Sequence, residues 1–181
     1  GLNRIALLRA HVENELEMER AAVWRSIAFD SGGDTSLLWD MNMTPGQPVG
    51  EVIPGLFAKL LASGELMLAE GIIVPDVDVA MHAIGFLTDH GIRVPEEMQV
   101  IAIQDNPMAE VFRPQITCID SNLEGHIRTA LSVLEERIAG HDDKVQYHIC
   151  QPRLIRRKST TVQKIEKEFV NSIKNREEKG K

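Results

Sequence analysis

From Gly71 to Asn106 the chain runs from a short apolar stretch through an amphipathic one into a second apolar stretch, with hardly a loop between them. Ile72, Ile73 and Val74 predict a strand that Pro75 and Asp76 end. Val79, Ala80, Ala83, Ile84 and Leu87 then recur at helical spacing until Gly91 stops the helix, and Val100 to Ile103 form the next strand. This order is a βαβ unit. Strands that are apolar on both faces belong inside a parallel sheet covered by helices, and ligands of such sheets bind beyond the carboxyl ends of the strands. Here those ends carry Asp76, Gln104 and Asp105.

The same alternation organises the rest of the chain. A strand at Arg4 to Arg9 leads to a helix over about Glu13 to Phe29, and the turn SGGD leads to a strand at Leu37 to Met41. The Gly/Pro segment from Met43 to Gly50 reads as a loop that either closes over a ligand or joins two elements. A helix over about Ile53 to Ala62 follows. After Asp105 the run NPMAEVFRP reads as irregular, and Ile116 to Ile119 as a short strand. Ser121 and Glu124 predict a capping box for a helix with Leu123, Ile127, Ala130, Leu131, Leu134 and Ile138 on one stripe. Val145 to Ile155 reads as one or two strands. Val162, Ile165, Phe169, Val170 and Ile173 predict a closing amphipathic helix, and no internal repeat is visible.

Composition places this pattern in an ordinary globular domain, with 43% hydrophobic and 26% charged residues over 181 positions. No apolar run approaches a membrane span, and the opening residues lack a signal peptide's apolar stretch, so the chain reads as cytoplasmic. The net charge of −7 conceals an asymmetry: residues 152–181 hold ten Lys/Arg and four Asp/Glu, or +6, leaving −13 for residues 1–151. An acidic body is a poor nucleic-acid surface. The basic tail mixes its charges as KIEKE and NREEK without interleaved aromatics, the pattern of a solvated helix face. Cys118 and Cys150, both in predicted strands and without CxxC spacing, read as two buried thiols rather than a disulfide or a metal site.

Several stretches resemble the lactose/galactose-repressor family. Asp76, Ala80, Gly91, Val94-Pro95-Glu96 and VIAIQD are similar to that family's "NDxxAxG…Gi.vPeDisvvGfDd". Pro114, Ile116 and Thr117 resemble its "P.LTTI", and Arg156, Arg157, Lys158, Ser159 and Thr160 its closing "L..R.ST". Upstream, RIALL at Arg4 to Leu8 and the Arg20…Trp24 segment resemble "RIa.i…eR..Gf". The resemblance covers Arg4 to Thr160. It implies an α/β fold of the type I periplasmic-binding-protein kind, with three layers and a mostly parallel, doubly wound sheet. Family members carry a DNA-reading helix-turn-helix and most of a first lobe ahead of the region matched. The expected organisation is therefore a partial effector-sensing domain over residues 1–160, mainly second lobe with an incomplete first lobe. Residues 121–140 would belong to the first lobe of a complete member, and residues 161–181 form a helical tail.

The resemblance also nominates residues. Arg20 aligns with an arginine that reaches effector oxygens in the family's cleft, and a guanidinium fork suits vicinal hydroxyls or a carboxylate. The alternative is a surface arginine beside Glu17 and Glu19. Trp24 either packs in the core or stacks on a sugar ring. Asp76 stands where the family has Asn, Val77 where it has Asp, and Gln104 where it has the first Asp of "GfDd", so amide and carboxylate have changed places. Both can bond a polyol, but the identity of the ligand does not carry over. Asp76 also fits a helix N-cap, which needs no ligand. His82, at a position of small Gly in the family, reads as a packed histidine. Met81, Phe112 and Arg113 fall where family dimers pack, which implies a homodimer.

Three function classes follow. The leading one is the effector-binding and dimerisation part of a transcriptional regulator of this family: it takes a sugar or sugar derivative, needs no cofactor, and meets DNA only through a head absent from these residues. A sugar-binding component of a transport system shares the fold but begins as an exported chain. An α/β enzyme would use Asp76 and Asp105 as acid/base or metal carboxylates, yet no phosphate loop, nucleophile elbow or GxGxxG follows a strand. His141, Asp142 and Asp143 cluster in a predicted loop without a second ligand pair and read as a solvated turn.

Overall fold

The computed structural model describes residues 4–10, 14–44, 46–140 and 147–161. The predicted tail helix over Val162 to Ile173, the His141–Asp143 turn and Val145 lie outside the described residues.

Six strands form one sheet. In chain order they are β1 (Ile5–Arg9), β2 (Leu38–Asp40), β3 (Gly71–Val74), β4 (Gln99–Ile103), β5 (Thr117–Asp120) and β6 (Arg153–Ile155). Their spatial order is β2-β1-β3-β4-β5-β6, parallel throughout except for β5 against β6. Helix α1 (Glu15–Asp30) connects β1 to β2, and α2 (Val49–Ser63) and α3 (Val77–Asp89) carry the chain back across β1 to β3 and on to β4. Right-handed crossovers running in opposite directions put α1 on one face and α2 with α3 on the other. The result is the three-layer, doubly wound α/β arrangement expected.

The α2/α3 face is the better filled. Ala6, Ile72, Val74, Val100 and Ala102 are at most 1% exposed. Phe57 of α2 stands edge-on to Trp39 of β2 at 6.4 Å and to Phe86 of α3 at 5.6 Å, which ties sheet and helices into one aromatic cluster. Helix α3 is buried on most of its circumference because it touches both the sheet and α2.

The structure corrects some boundaries. Helix α2 begins at Val49, four residues before the expected start. Pro48 occupies its N-cap and Pro54 lies inside it, and Val49 and Val52 pack against the core on the stripe that continues through Ile53 and Phe57. The segment after Asp105 contains a one-turn helix, α4 (Met108–Val111), because fully buried Ala109 pulls it onto the core and its carbonyl accepts from the Ile116 amide at 2.9 Å. The cap of α5 (Leu123–Ile138) is Asn122, not Ser121: Asn122 is left-handed at φ +59 and its side chain accepts from the Gly125 amide at 3.2 Å. Of Val145 to Ile155 only Arg153–Ile155 is a strand among the described residues, and Cys150 lies outside it, half-buried with its Sγ 3.8 Å from Thr129 Oγ1.

Helix α5 has the predicted stripe, yet Leu123, Ile127, Leu131, Leu134 and Ile138 are each more than half exposed and no residue of the helix is buried. The pattern of the sequence is thus present without a packing partner.

Candidate functional site

The doubly wound order reverses between β1 and β3, and such a reversal opens a crevice at the carboxyl ends of the strands. That edge carries Arg9, Asp40, Asp76 and Gln104, which close four neighbouring strands or follow them within two residues. Val74 pairs with Ala102, so Asp76 and Gln104, each two residues on, lie past the carboxyl ends of adjacent strands at one edge.

Asp76 stays half-buried and caps α3, its Oδ1 accepting from the Val79 amide at 2.9 Å. One carboxylate oxygen is thereby committed to the helix, while the other keeps free acceptor capacity. Gln104 is exposed and lies at φ +99, a region that side chains other than glycine rarely adopt. Its amide donates to the Ile119 carbonyl at 2.9 Å, and that bond to β5 helps hold the conformation. Strained backbone of this kind concentrates at ligand sites.

Arg9 and Asp40 did not emerge as candidates from the sequence. Arg9 Nε donates to Asp40 Oδ1 at 2.7 Å, with the Arg9 side chain only 9% exposed. The available signal was a charged residue closing each of two apolar strands, IALLR and LWD, but their adjacency depends on strand order.

Arg20 lies in the second turn of α1, the end of that helix nearest the same edge, and its Nη1 donates to Glu17 Oε1 at 2.6 Å. Glu17 is buried, so this is a largely desolvated pair rather than a surface bridge. Trp24, one turn on, belongs to the core cluster and is 8% exposed, which is the packing alternative and leaves no open face for a sugar ring. His82 is half-exposed and leans over the first turn of α2, where a Cβ on Gly50 would come within 2.9 Å of its ring.

Asp105 is engaged elsewhere. Arg157 Nη1 and Nη2 donate to its two oxygens at 3.0 and 2.8 Å, and Nη1 also donates to the Ile116 carbonyl at 2.8 Å. Burial works to raise the Asp105 pKa, but the Arg157 bonds, a Cys118 bond and the arginine's charge together outweigh it and hold the carboxyl below its ordinary value. Burial, with the Asp105 carboxylate beside it, pushes the Cys118 thiol up to about 12. Of the two carboxylates the enzyme alternative named, Asp76 caps a helix and Asp105 is clamped by a guanidinium.

Met81 and Phe112 both pack partly against the core, and Arg113 bends back so that its Nη1 donates to the carbonyls of Glu110, Val111 and Phe112. Beside them Met108 and Val111 are about half exposed or more. Among the described residues no group of three His, Cys, Asp or Glu could hold a metal ion, and no helix is long and apolar enough to cross a membrane.

Residues 1–160 match the family model described as periplasmic binding protein-like domain. The chain is 37% identical over 84 residues to the HTH-type transcriptional repressor PurR of Haemophilus influenzae, an overlap of 45% of this chain and 25% of the relative. It is 26% identical over 159 residues to the HTH-type transcriptional regulator GalS of Salmonella typhimurium, covering 88% of this chain and 45% of that protein. In structure it is similar to a sugar-binding transcriptional regulator of the LacI family from Escherichia coli complexed with phosphate, with TM-score 0.74 and 22% identity, covering 90% of this chain and 56% of the other. This chain thus spans less than half the length of the curated relatives named.

Proposed function

Because this chain belongs to the periplasmic binding protein-like domain family, we propose that it is the second-lobe part of the effector-sensing domain of a transcriptional regulator of the lactose/galactose-repressor (LacI) type. The observation that carries the reading is the strand-end edge of Asp76 and Gln104. There an acceptor and an amide follow the carboxyl ends of adjacent strands on the switch-point side of a doubly wound sheet, one of them on strained backbone.

In this reading the ligand is a small polyhydroxylated metabolite, a sugar or sugar derivative. Arg20 leaves or shares its bond to Glu17 to meet it, with Asp76 and Gln104 supplying further hydrogen bonds. Arg9 and Asp40 brace the wall of the crevice. The ligand's other face meets a first lobe, to which residues 121–140 also belong; the bare apolar stripe of α5 supports that assignment. Binding biases lobe closure and thereby the spacing of DNA-binding heads in a cytoplasmic homodimer. Met81, Phe112 and Arg113 lie at the dimer surface, which the apolar side chains of Met108 and Val111 extend.

A site with one wall loses half its contacts and its exclusion of water. A deficit of about 4 kcal/mol turns a micromolar site into a millimolar one, so the 181-residue chain alone binds saccharides weakly. The test is a thermal-shift screen of the two-lobe protein against a saccharide panel, with this chain screened alongside. Stabilisation of the former only is the expected result, and micromolar binding by the chain alone overturns the two-wall arrangement. Sedimentation at tens of micromolar checks the dimer, and a monomer there counts against it.

A further inference from the structure

The Arg9–Asp40 pair leaves most of a guanidinium unused. Arg9 closes β1 two residues after Leu7, which pairs with Ile73, so its side chain lies on the α1 face of the sheet, in the row it shares with Asp40. That side chain is only 9% exposed, yet Asp40 meets it through Nε alone. Nη1 and Nη2 have no hydrogen-bond partner among the described residues. No fully enclosed side-chain nitrogen or oxygen among those residues lacks a partner, so these two atoms are not enclosed. They open where β1 ends, at the crevice.

Such an edge suits an oxyanion. Nη1 and Nη2 present coplanar N–H groups that match two oxygens of one carboxylate or phosphate, and charge-assisted bonds are about twice as strong as neutral ones. A single hydroxyl uses part of that fork and leaves the rest unmet. Burying a guanidinium this far is costly, and one single-point pair offsets the cost only in part. On the neighbouring strands the chemistry changes: the free oxygen of Asp76 repels an acid and, with Gln104, suits hydroxyls. The strand order β2-β1-β3-β4 therefore sets an orientation, with Asp76 one strand and Gln104 two strands from Arg9, about 5 and 10 Å across the sheet. A monosaccharide bearing an acid group is of that size.

We propose that Arg9 determines the specificity of the effector site, receiving the carboxylate or phosphate of an acidic monosaccharide through Nη1 and Nη2 while its Nε stays on Asp40. The inference rests on the sensing role given above and narrows the ligand from sugars in general to sugars that carry an oxyanion. The acid end lies toward β1 and β2, and the hydroxyls lie toward β3 and β4.

The test is a side-chain NMR titration of the full 181-residue chain, its arginines isotope-labelled, against glucose-6-phosphate, glucuronate and glucose through the millimolar range that a one-walled site requires. Both acidic sugars should move the Arg9 guanidinium signals and bind about tenfold more tightly than glucose, while the signals of the exposed Arg93 and Arg128 stay in place. The tighter of the two tells phosphate from carboxylate. Arg9→Lys keeps a cation for Asp40 but loses the outer edge, so the preference for acidic sugars should disappear. Asp40→Asn relieves the guanidinium of its competing carboxylate and should strengthen that preference. Glucose binding as tightly as its acidic partners, acidic sugars moving Arg93 and Arg128 as much as Arg9, or a preference untouched by Arg9→Lys would overturn the oxyanion assignment and leave the sensing role standing. If no sugar shifts the Asp76 and Gln104 amides, in this chain or in the two-lobe protein, the sensing role falls with it.

Discussion

Replacing Arg157 by methionine removes one guanidinium while keeping much of the aliphatic length of the side chain. Two charge-assisted bonds to Asp105 and one to the Ile116 carbonyl disappear, and a carboxylate only 17% exposed loses its partner. Removing one member of a buried pair costs about 3–5 kcal/mol. Because both side chains here keep some solvent, the lower end applies, about 3 kcal/mol. In a domain of this size that lowers Tm by about 6–12 °C. Asp105→Asn keeps one oxygen as an acceptor and should cost less, about 1–2 kcal/mol. The double variant should cost less than the sum, with a coupling of about 1–3 kcal/mol. Urea unfolding followed by the fluorescence of Trp24 and Trp39, both buried, measures all three. A loss below about 1 kcal/mol for Arg157→Met, or simple additivity in the double variant, would show that Asp105 is not held by this clamp.

The same pair fixes a pH dependence: with its folded pKa depressed, Asp105 contributes stability that is present above the ordinary carboxylate range and lost as pH falls through the folded value. The stability gap between the natural chain and Asp105→Asn should therefore stay flat from neutral pH down to about 4 and close below it; a gap that widens in acid contradicts the direction. Gln104→Gly relieves a strain of about 1–3 kcal/mol against a glycine penalty of about 0.5–1 kcal/mol, so denaturation should show a net gain of about 1 kcal/mol while saccharide affinity of the two-lobe protein falls. At the start of α5, Asn122→Ala should cost about 1 kcal/mol and Ser121→Ala close to nothing, and the reverse order in thermal melts would restore the capping box.

The βαβ unit was legible because its signals are local. Continuous apolar runs mark buried strands, Pro75 and Gly91 punctuate them, and Asp76 sits where a cap must sit. The features that escaped are those that tertiary contacts decide. The α4 turn exists because Ala109 is drawn into the core, and α2 starts early because Val49 and Val52 find core neighbours. Asn122 wins the cap from Ser121 by adopting a left-handed conformation that no spacing rule announces. At the site, Asp76 and Gln104 were placed correctly on one edge by strand logic alone. The Arg9–Asp40 pair spans 31 positions and the Arg157–Asp105 clamp 52, and neither can be read without knowing which strands are neighbours. Trp24 shows the converse limit: a helical turn after Arg20 suits either the crevice or the core, and packing put it in the core.

The most direct measurement for effector sensing at this edge is isothermal titration of the two-lobe protein with the saccharide that stabilises it most, repeated with Arg20→Ala. If Arg20 anchors the effector, losing its charge-assisted bonds costs about 1.5–3 kcal/mol and weakens binding by roughly ten- to a hundred-fold. Because the same change leaves the buried Glu17 carboxylate without its partner and lowers folding stability by about 3 kcal/mol, both proteins are titrated at a temperature where each is folded. Equal affinity in the two proteins would contradict that role and leave Arg20 as the partner of Glu17 alone.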